Sequence, residues 1–450
     1  MRSMTVHRHN EWRPQFVRIL RLGGPLVVNN LAVAGMGFAD AVMAGRLGAE
    51  SLAAVAVGGS LWFLAFTLGL GIQMAISPIA ARLWGARDYH LIGSYTRQGL
   101  YFALAFGLVV IVAGRAIGEA VLTKIGIDPG FRHLTVSYFE AIIWGAPGIL
   151  MFLALRFTTE GIGHLRPIMF TSILGLVSNV FLNYTLMFGH FGAPALGVAG
   201  CGYASAISMW IVMFALGAYI VLNPRYRPLE IFTKLAPPRL SILREIVVLG
   251  LPIAIMVTAE AGLFNAISIL VGTLGANITA AHQIAINFSS TLFMVPLALS
   301  SATTVQVGQL LGAGDRRLAR IAGATGIITC AAFMTLSAVS LLLFRDSVVA
   351  LYTDDAAVRE IAISLLLIAA IFQVADGVQI GAASALRGYK DTRVPMAINI
   401  FSFWVVAFPL AYLAAVTFKA PPNYIWGAFV AGLGLAAVLL SWRYARLSRV

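Results

Sequence analysis

The 450-residue sequence has few charged residues and only two cysteines. Charged side chains make up 11% of it and hydrophobic ones 60%, whereas a typical soluble domain is about a quarter charged. This shortage of charge excludes a water-soluble globule and predicts a membrane protein with several spans. Cys201 and Cys330 lie in apolar segments without metal-ligand spacing, so we expect neither a disulfide framework nor a metal cluster built on cysteine.

Motifs of enzymes are also missing. The sequence has no His/Glu zinc spacing, no phosphate-binding loop that ends in Lys-Ser or Lys-Thr, and no Gly-x-Ser-x-Gly. We therefore expect a protein that is not an enzyme and has no cofactor. The net charge of +13 would suggest nucleic acid in a soluble protein. In a membrane protein, basic residues report topology instead, so no nucleic-acid partner is expected.

Long apolar runs are abundant. A helix needs about 20 residues to cross the hydrocarbon layer, and the sequence has twelve such runs. They predict an all-α polytopic membrane protein with both termini on the same side. The runs lie at roughly 16–42, 52–79, 94–117, 134–156, 167–189, 194–221, 244–272, 279–308, 319–343, 358–386, 394–416 and 423–442.

The distribution of Lys and Arg predicts the orientation. The N-terminus, the C-terminus and the loops after the even-numbered spans hold 24 of the 31 basic residues. By the positive-inside rule these segments are cytoplasmic. The basic N-terminus resembles a signal peptide, but the apolar run after it is too long, so we interpret it as an uncleaved first span.

The sequence repeats itself at a shift of 227 residues. Two halves of six spans each have the same topology, so an axis along the membrane normal relates them as a pseudo-twofold, an architecture found in transporters. We predict an N-terminal lobe at 1–221, a cytoplasmic linker at 222–243 and a C-terminal lobe at 244–450. Matching pairs include Pro25 with Pro252, Gly48 with Gly275, Gly85 with Gly312, Asp88 with Asp315, and Gly161 with Gly388.

Three acids stand inside the spans, where a charge costs roughly 2.5–3.5 kcal/mol on insertion scales. Such residues usually face a cavity or a partner. Glu260 and Asp376 have no basic residue within ten positions, and either a transport site or hydrogen-bonded core acids would explain them. Asp40 lies six residues before Arg46, so a cap residue paired with Arg46 at the outer boundary is its alternative.

Polar side chains accompany these acids. Several on span 8 follow the spacing of one helical stripe, and others lie on spans 1, 2, 5 and 10. Amides in buried helices also serve as interhelical hydrogen-bond partners, and His282 would act either as a proton shuttle or as a helix contact. The residues are Gln283, Asn287, Ser290 and Thr291 on span 8, Gln373 and Gln379 beside Asp376, and Asn29, Gln73, Asn179 and Asn183 in the first half.

Three motifs resemble one family. They are FADAVMAGRLG at 38–48, AAHQIA at 280–285 and ADGVQIGAASALRGYKDTRVPM at 375–396. Together with the twelve spans and the repeat, they resemble the multidrug and toxic compound extrusion (MATE) family, in its NorM-like branch. The resemblance implies two six-helix lobes in a bacterial inner membrane that export cationic or amphipathic drugs in exchange for Na⁺ or H⁺.

The resemblance also implies roles for individual residues. Asp40, Asn179 and Asn183 match a polar site of the N-terminal lobe. One proton-coupled branch carries an acid where this chain has Asn183 or Tyr184, so a mechanism that needs that acid does not transfer.

In the C-terminal lobe, Glu260 and Asp376 match cation-binding acids, which makes them our candidates for a Na⁺ site. Asp355 matches a further acid of some relatives. Phe264 matches an aromatic that approaches the ion, physically a cation–π contact. Further candidate contacts to substrate or ion are Gln283, Asn287 and Gln379.

Antiport would follow from competition, because a few carboxylates cannot bind a drug cation and a coupling ion at the same time. We expect small cationic or amphipathic drugs, Na⁺ or H⁺ and membrane lipids as partners, and a monomer. Amides near the acids favour Na⁺, but an exporter coupled only to H⁺ stays an alternative. A lipid-linked sugar flippase is another, although it would need arginines inside the spans.

Overall fold

The computed structural model describes residues 11–124, 128–233 and 237–449. This part of the chain contains twelve helices long and apolar enough to cross a membrane, which confirms the predicted number. They are α1 (Trp12–Arg46), α2 (Ala49–Gly85), α3 (Tyr89–Lys124), α4 (Pro129–Gly161), α5 (Arg166–Phe188), α6 (Gly197–Leu222), α7 (Leu240–Gly272), α8 (Ala276–Gly312), α9 (Arg316–Ala350), α10 (Ala356–Gly388), α11 (Arg393–Thr417) and α12 (Pro422–Leu447).

Glycine sets the tight turns before α2 and α8. Gly48 has φ 120° and Gly275 has φ 115°, a region in which a side chain would be strained. Each residue stands immediately before its helix. Because the two glycines are related by the 227-residue shift, the repeat seen in the sequence is a repeat of backbone geometry.

Three helices are interrupted. α2 is broken at 74–75, between Ala49–Gln73 and Ile76–Gly85. α4 contains a 3₁₀ turn at Ile143–Gly145, just before Pro147. α11 contains two π-helical stretches, Phe401–Ala407 and Leu413–Thr417. The extra residue in a π turn shifts the hydrogen-bond ladder, so the faces of α11 do not follow one continuous helical pattern.

The helices pack into two compact units. Residues 28–254 form one unit, and the described residues of 1–27 and 255–450 form the other. The division falls within α1 and α7, whereas the sequence predicted a division at the linker 222–243.

Close packing of glycines accounts for this division. A Cβ on Gly250 would lie 2.4 Å from the Ile72 carbonyl oxygen, so the first half of α7 lies directly against α2. In the other unit, a Cβ on Gly23 would lie 2.7 Å from Leu299 Cδ2, so the first half of α1 lies against α8. Both members of each pair differ by 227 residues from those of the other. The repeat therefore extends to individual contacts.

The described part of the linker is held against α3. Arg97 donates to the carbonyl oxygens of Glu230 and Ile231. The Gln98 amide donates to the Pro237 carbonyl at 3.4 Å and accepts from the Arg239 backbone N–H at 2.9 Å. These buried backbone partners make the segment a docked element of the unit 28–254.

A histidine lies between α4 and α5, where the linker contacts it. The Tyr226 hydroxyl lies 3.3 Å from His164 Nδ1. Burial, and then the charges of Arg225 and Arg166, lower the pKa of His164. The neutral imidazole is therefore the stable form of this contact.

Candidate functional site

Asp40, Asn179 and Asn183 form one hydrogen-bonded cluster in the unit 28–254. Asn183 Nδ2 donates to Asp40 Oδ1 at 2.5 Å and to Asn179 Oδ1 at 3.2 Å. Ser205 Oγ donates to Asp40 Oδ2 at 3.1 Å and accepts from Asn179 Nδ2 at 3.1 Å. The cluster therefore joins α1, α5 and α6. It holds the carboxylate between neutral donors.

The alternative for Asp40, a pair with Arg46, is not seen among the described residues, where its carboxylate bonds to Asn183 and Ser205 instead. Sequence reasoning missed Ser205. A single serine in the apolar helix Gly197–Leu222 has no periodic signal, and only the packing of α6 on α5 brings it to the cluster.

In the other unit, Glu260 on α7 and Asp376 on α10 lie close enough for their charges to interact. Asp376 is 4% exposed, and Glu260 is partly buried. The Arg387 guanidinium interacts electrostatically with Glu260. Within the described chain, neither carboxylate accepts a hydrogen bond or belongs to a salt bridge. Core acids locked to donors, the alternative for this pair, would have such partners.

Unused oxygens lie on the same face of α10. Asp376 Oδ1 and Gln379 Oε1 are both buried and have no hydrogen-bond partner in the described residues, and the two side chains are three positions apart. Buried polar atoms are almost always paired. Carboxylate and amide oxygens are the ligands that hard cations prefer. With the Glu260 carboxylate, this donor set fits Na⁺.

An aromatic group lies one helical turn from both acids. Phe264, four residues after Glu260, stacks on Phe429 with 4.9 Å between ring centroids. Phe372, four residues before Asp376, meets Phe264 edge to face at 6.0 Å. Because Phe429 is stacked on Phe264, the structure provides apolar walls beside the acids.

His282 is fixed by two hydrogen bonds. Trp426 Nε1 lies 3.1 Å from His282 Nδ1, and Ser268 Oγ lies 3.0 Å from Nε2. An indole N–H can only donate, so Nδ1 must accept and carries no proton. Ser268 Oγ donates to the Phe264 carbonyl, which leaves it free to accept from Nε2–H. The geometry thus selects a neutral imidazole and favours the helix-contact interpretation over the proton shuttle.

The polar stripe predicted on α8 is present and is not covered by protein. Gln283, Asn287, Ser290 and Thr291 are all exposed, and Asn287 Oδ1 accepts from the Tyr352 hydroxyl at 3.1 Å. Polar groups in a membrane-crossing helix are costly in contact with lipid. This face of α8 is therefore suited to line a water-filled path.

The equivalent face of α2 is exposed but largely apolar. A shift of 227 residues places the α8 stripe on Ala56, Ser60, Phe63 and Leu64, which are all exposed. The two repeats thus use one scaffold position for different chemistry.

Asp355 does not join the other acids. It caps the start of α10, where its side chain accepts from the backbone N–H groups of Ala357 and Val358 at 2.8 and 3.2 Å. It precedes Asp376 by 21 residues, about 30 Å along a helix. The structure therefore gives it a capping role at one end of the helix.

Comparison with known proteins decides the family. The MatE family model matches residues 25–185 and again 252–413, and the two matches begin 227 residues apart. The chain belongs to the MatE family. The resemblance seen in the sequence is confirmed, and so is the predicted all-helical fold.

Relatives of this MatE family member match along almost their whole length. The multidrug resistance protein PmpM of Pseudomonas aeruginosa is 38% identical over 99% of this chain and 94% of that protein. The multidrug resistance protein NorM of Aliivibrio fischeri is 35% identical over 99% of this chain and 96% of that protein. The crystal structure of the eukaryotic MATE transporter AtDTX14 has a TM-score of 0.87 at 20% identity, over 98% of this chain and 99% of that one, which shows the shared fold.

Sequence reasoning also missed a second buried charged group in this MatE family member. Ser77 Oγ on α2 donates to Glu160 Oε1 on α4 at 3.1 Å, and Glu160 is 2% exposed. Arg156, one turn earlier on α4, interacts with Glu160 electrostatically. The pair stands i, i+4 in the sequence, and this spacing could have revealed it.

Proposed function

We propose that the chain is a cation-coupled multidrug efflux antiporter that exports cationic or amphipathic drugs in exchange for Na⁺ by alternating access. The observation that carries the proposal is the pair Glu260 and Asp376, two interacting carboxylates without a hydrogen bond or salt bridge in the described chain. The names of its relatives, multidrug resistance proteins, support the same class of substrate.

Mutual repulsion gives the pair its function. Two negative charges in weakly polar surroundings repel each other strongly, and a cation that enters relieves this repulsion. A coupling ion and the positive end of a drug compete for the same two charges, so binding of one favours release of the other. Coupled exchange requires no covalent chemistry.

The exposed faces fit amphipathic substrates. The α8 stripe offers amides and hydroxyls, and the equivalent α2 face offers Phe63 and Leu64. A molecule with a cationic group and an apolar body would find partners for both parts. Neither stripe contains Lys or Arg, which speaks against a flippase that binds pyrophosphate.

The choice of Na⁺ over H⁺ rests on the oxygens. A proton needs one carboxylate, whereas Na⁺ needs several oxygen ligands, and Asp376 Oδ1 and Gln379 Oε1 are buried without partners in the described chain. His282, held neutral by Trp426, offers no proton relay.

Efflux from proteoliposomes tests the proposal. Purified protein is reconstituted, and drug movement is measured under an imposed Na⁺ gradient and, separately, under a pH gradient. We expect the Na⁺ gradient to drive efflux, and Glu260→Gln and Asp376→Asn to abolish this dependence. Gln379→Leu, which removes only a neutral oxygen, should weaken the apparent affinity for Na⁺ more than the maximal rate.

Glu360→Gln is the matched control, because this exposed acid lies on the same helix as Asp376. It should behave like the unmodified protein. Efflux driven only by the pH gradient would assign the coupling to H⁺. Coupling that survives both acid substitutions would remove this site from the mechanism.

A further inference from the structure

A cleft with charges of both signs lies between α3 and α4, away from the residues discussed so far. It has a volume of about 330 Å³. The lining includes Glu119 from α3 and Arg132, His133, Ser137 and Glu140 from α4. Glu119 and Glu140 are exposed, and the described residues give neither carboxylate a salt bridge or hydrogen bond.

The cleft lies at one boundary of the apolar layer. Glu140 comes directly before the apolar stretch 141–155 of α4, and Arg115 comes directly after the apolar stretch 102–114 of α3. Both positions belong to the predicted outer side. Charged groups at such a boundary are at the level of the lipid headgroups.

A cation–π contact fixes the register of the two helices here. The Arg115 guanidinium lies over the Trp144 ring, 5.8 Å from its centroid, and Trp144 is 46% exposed. The chain runs in opposite directions in α3 and α4. Glu119 is one turn beyond Arg115, and Glu140 is one turn before Trp144, so both carboxylates lie about one turn farther out than the guanidinium.

This order of charges matches a zwitterionic phospholipid. In such a lipid the phosphate lies next to the glycerol and the ammonium lies beyond it. We propose that the α3–α4 cleft binds a phospholipid with an ethanolamine headgroup, its ammonium between Glu119 and Glu140 and its phosphate at Arg115. A primary ammonium donates three hydrogen bonds to carboxylates, whereas a choline headgroup has no N–H to donate. The exposed Trp144 face suits the glycerol region, as aromatic residues at membrane interfaces do.

Competition between lipids tests the site. The full-length protein in detergent is incubated with equal amounts of dioleoyl phosphatidylethanolamine, phosphatidylcholine and phosphatidylglycerol, and the retained lipids are counted by native mass spectrometry. We expect about fivefold preference for phosphatidylethanolamine over phosphatidylcholine, the scale of one exposed ion pair. Glu119→Gln combined with Glu140→Gln should remove the preference.

The matched control is Glu50→Gln combined with Glu360→Gln, which removes two exposed acids of the same predicted side from other helices and should keep the preference. If the double variant of the cleft does not fold, Arg115→Gln tests the phosphate end, and retention of phosphatidylethanolamine should fall.

Three results would overturn the proposal. Equal retention of phosphatidylcholine would exclude hydrogen bonding to the ammonium. Stronger retention of phosphatidylglycerol would leave only a basic surface. A rise in melting temperature with MgCl₂ that needs Glu119 and Glu140, without any lipid preference, would identify a cation site instead.

Discussion

Trp426 decides the state of a histidine on another helix. Its indole N–H donates to His282 Nδ1, and the bond continues through Ser268 to the Phe264 carbonyl, one turn from Glu260. The sequence could mark His282 as polar within a span. It could not separate a proton shuttle from a helix contact, because the deciding donor lies 144 residues away.

The first prediction at this scale concerns that donor. Trp426→Phe keeps the ring stacking but leaves His282 Nδ1 without its donor, so the free energy of unfolding should fall by about 1 kcal/mol, with more if packing also suffers. Thermal unfolding in detergent measures this. The pH dependence of efflux should keep its shape. A shift in that profile would mean that His282 titrates during transport.

The second prediction concerns Asp40. In Asp40→Asn the new amide oxygen can still accept one of the hydrogen bonds from Asn183 and Ser205, so the protein should reach the membrane at nearly normal abundance. Efflux should fall sharply, because the negative charge is lost. Immunoblots of membrane fractions, paired with efflux rates, separate the two effects. Ser205→Ala, which keeps the charge, should retain most of the efflux.

At the scale of helices, the sequence revealed most where one residue type has one physical role. Gly48 and Gly275 were visible as a repeated motif, and both stand at positive φ immediately before a helix. The breaks in α2, α4 and α11 were not predictable, because hydropathy averages over a span and says little about one turn of backbone. The same averaging hid Ser205 and Glu160, which depend on neighbouring helices.

Close packing at Gly250 gives the prediction for this scale. In Gly250→Ala the added methyl group meets the Ile72 carbonyl, a backbone atom, so α7 must shift and the free energy of unfolding should fall by roughly 1–3 kcal/mol. Gly23→Ala meets only the flexible end of Leu299 and should cost less. Gly37→Ala meets nothing within 4 Å and should be neutral or stabilising by up to about 1 kcal/mol. Melting temperatures that do not follow this order would contradict the packing.

For the whole molecule, the repeat supplies scaffold and the exceptions to it supply chemistry. The 227-residue shift relates turns, glycine contacts and both matches of the family model. Asp40, Glu260 and Asp376 have no acidic counterparts under the same shift, and neither does the polar stripe of α8. A sequence can therefore predict the fold from the repeat. It can nominate site residues only as deviations, which packing must then bring together.

The last prediction tests the orientation of the chain in the membrane. Cys201 and Cys330 are both fully buried, so the unmodified protein should not react with a membrane-impermeant maleimide and serves as its own blank. Ala313→Cys lies in the exposed turn between α8 and α9, which the basic residues place in the cytoplasm. Asp354→Cys lies in the exposed segment before α10, predicted to be outside. In intact cells only Asp354→Cys should be labelled, and Ala313→Cys should react once the membrane is opened. The reverse pattern would invert the topology, and the α3–α4 cleft would then lie at the inner leaflet.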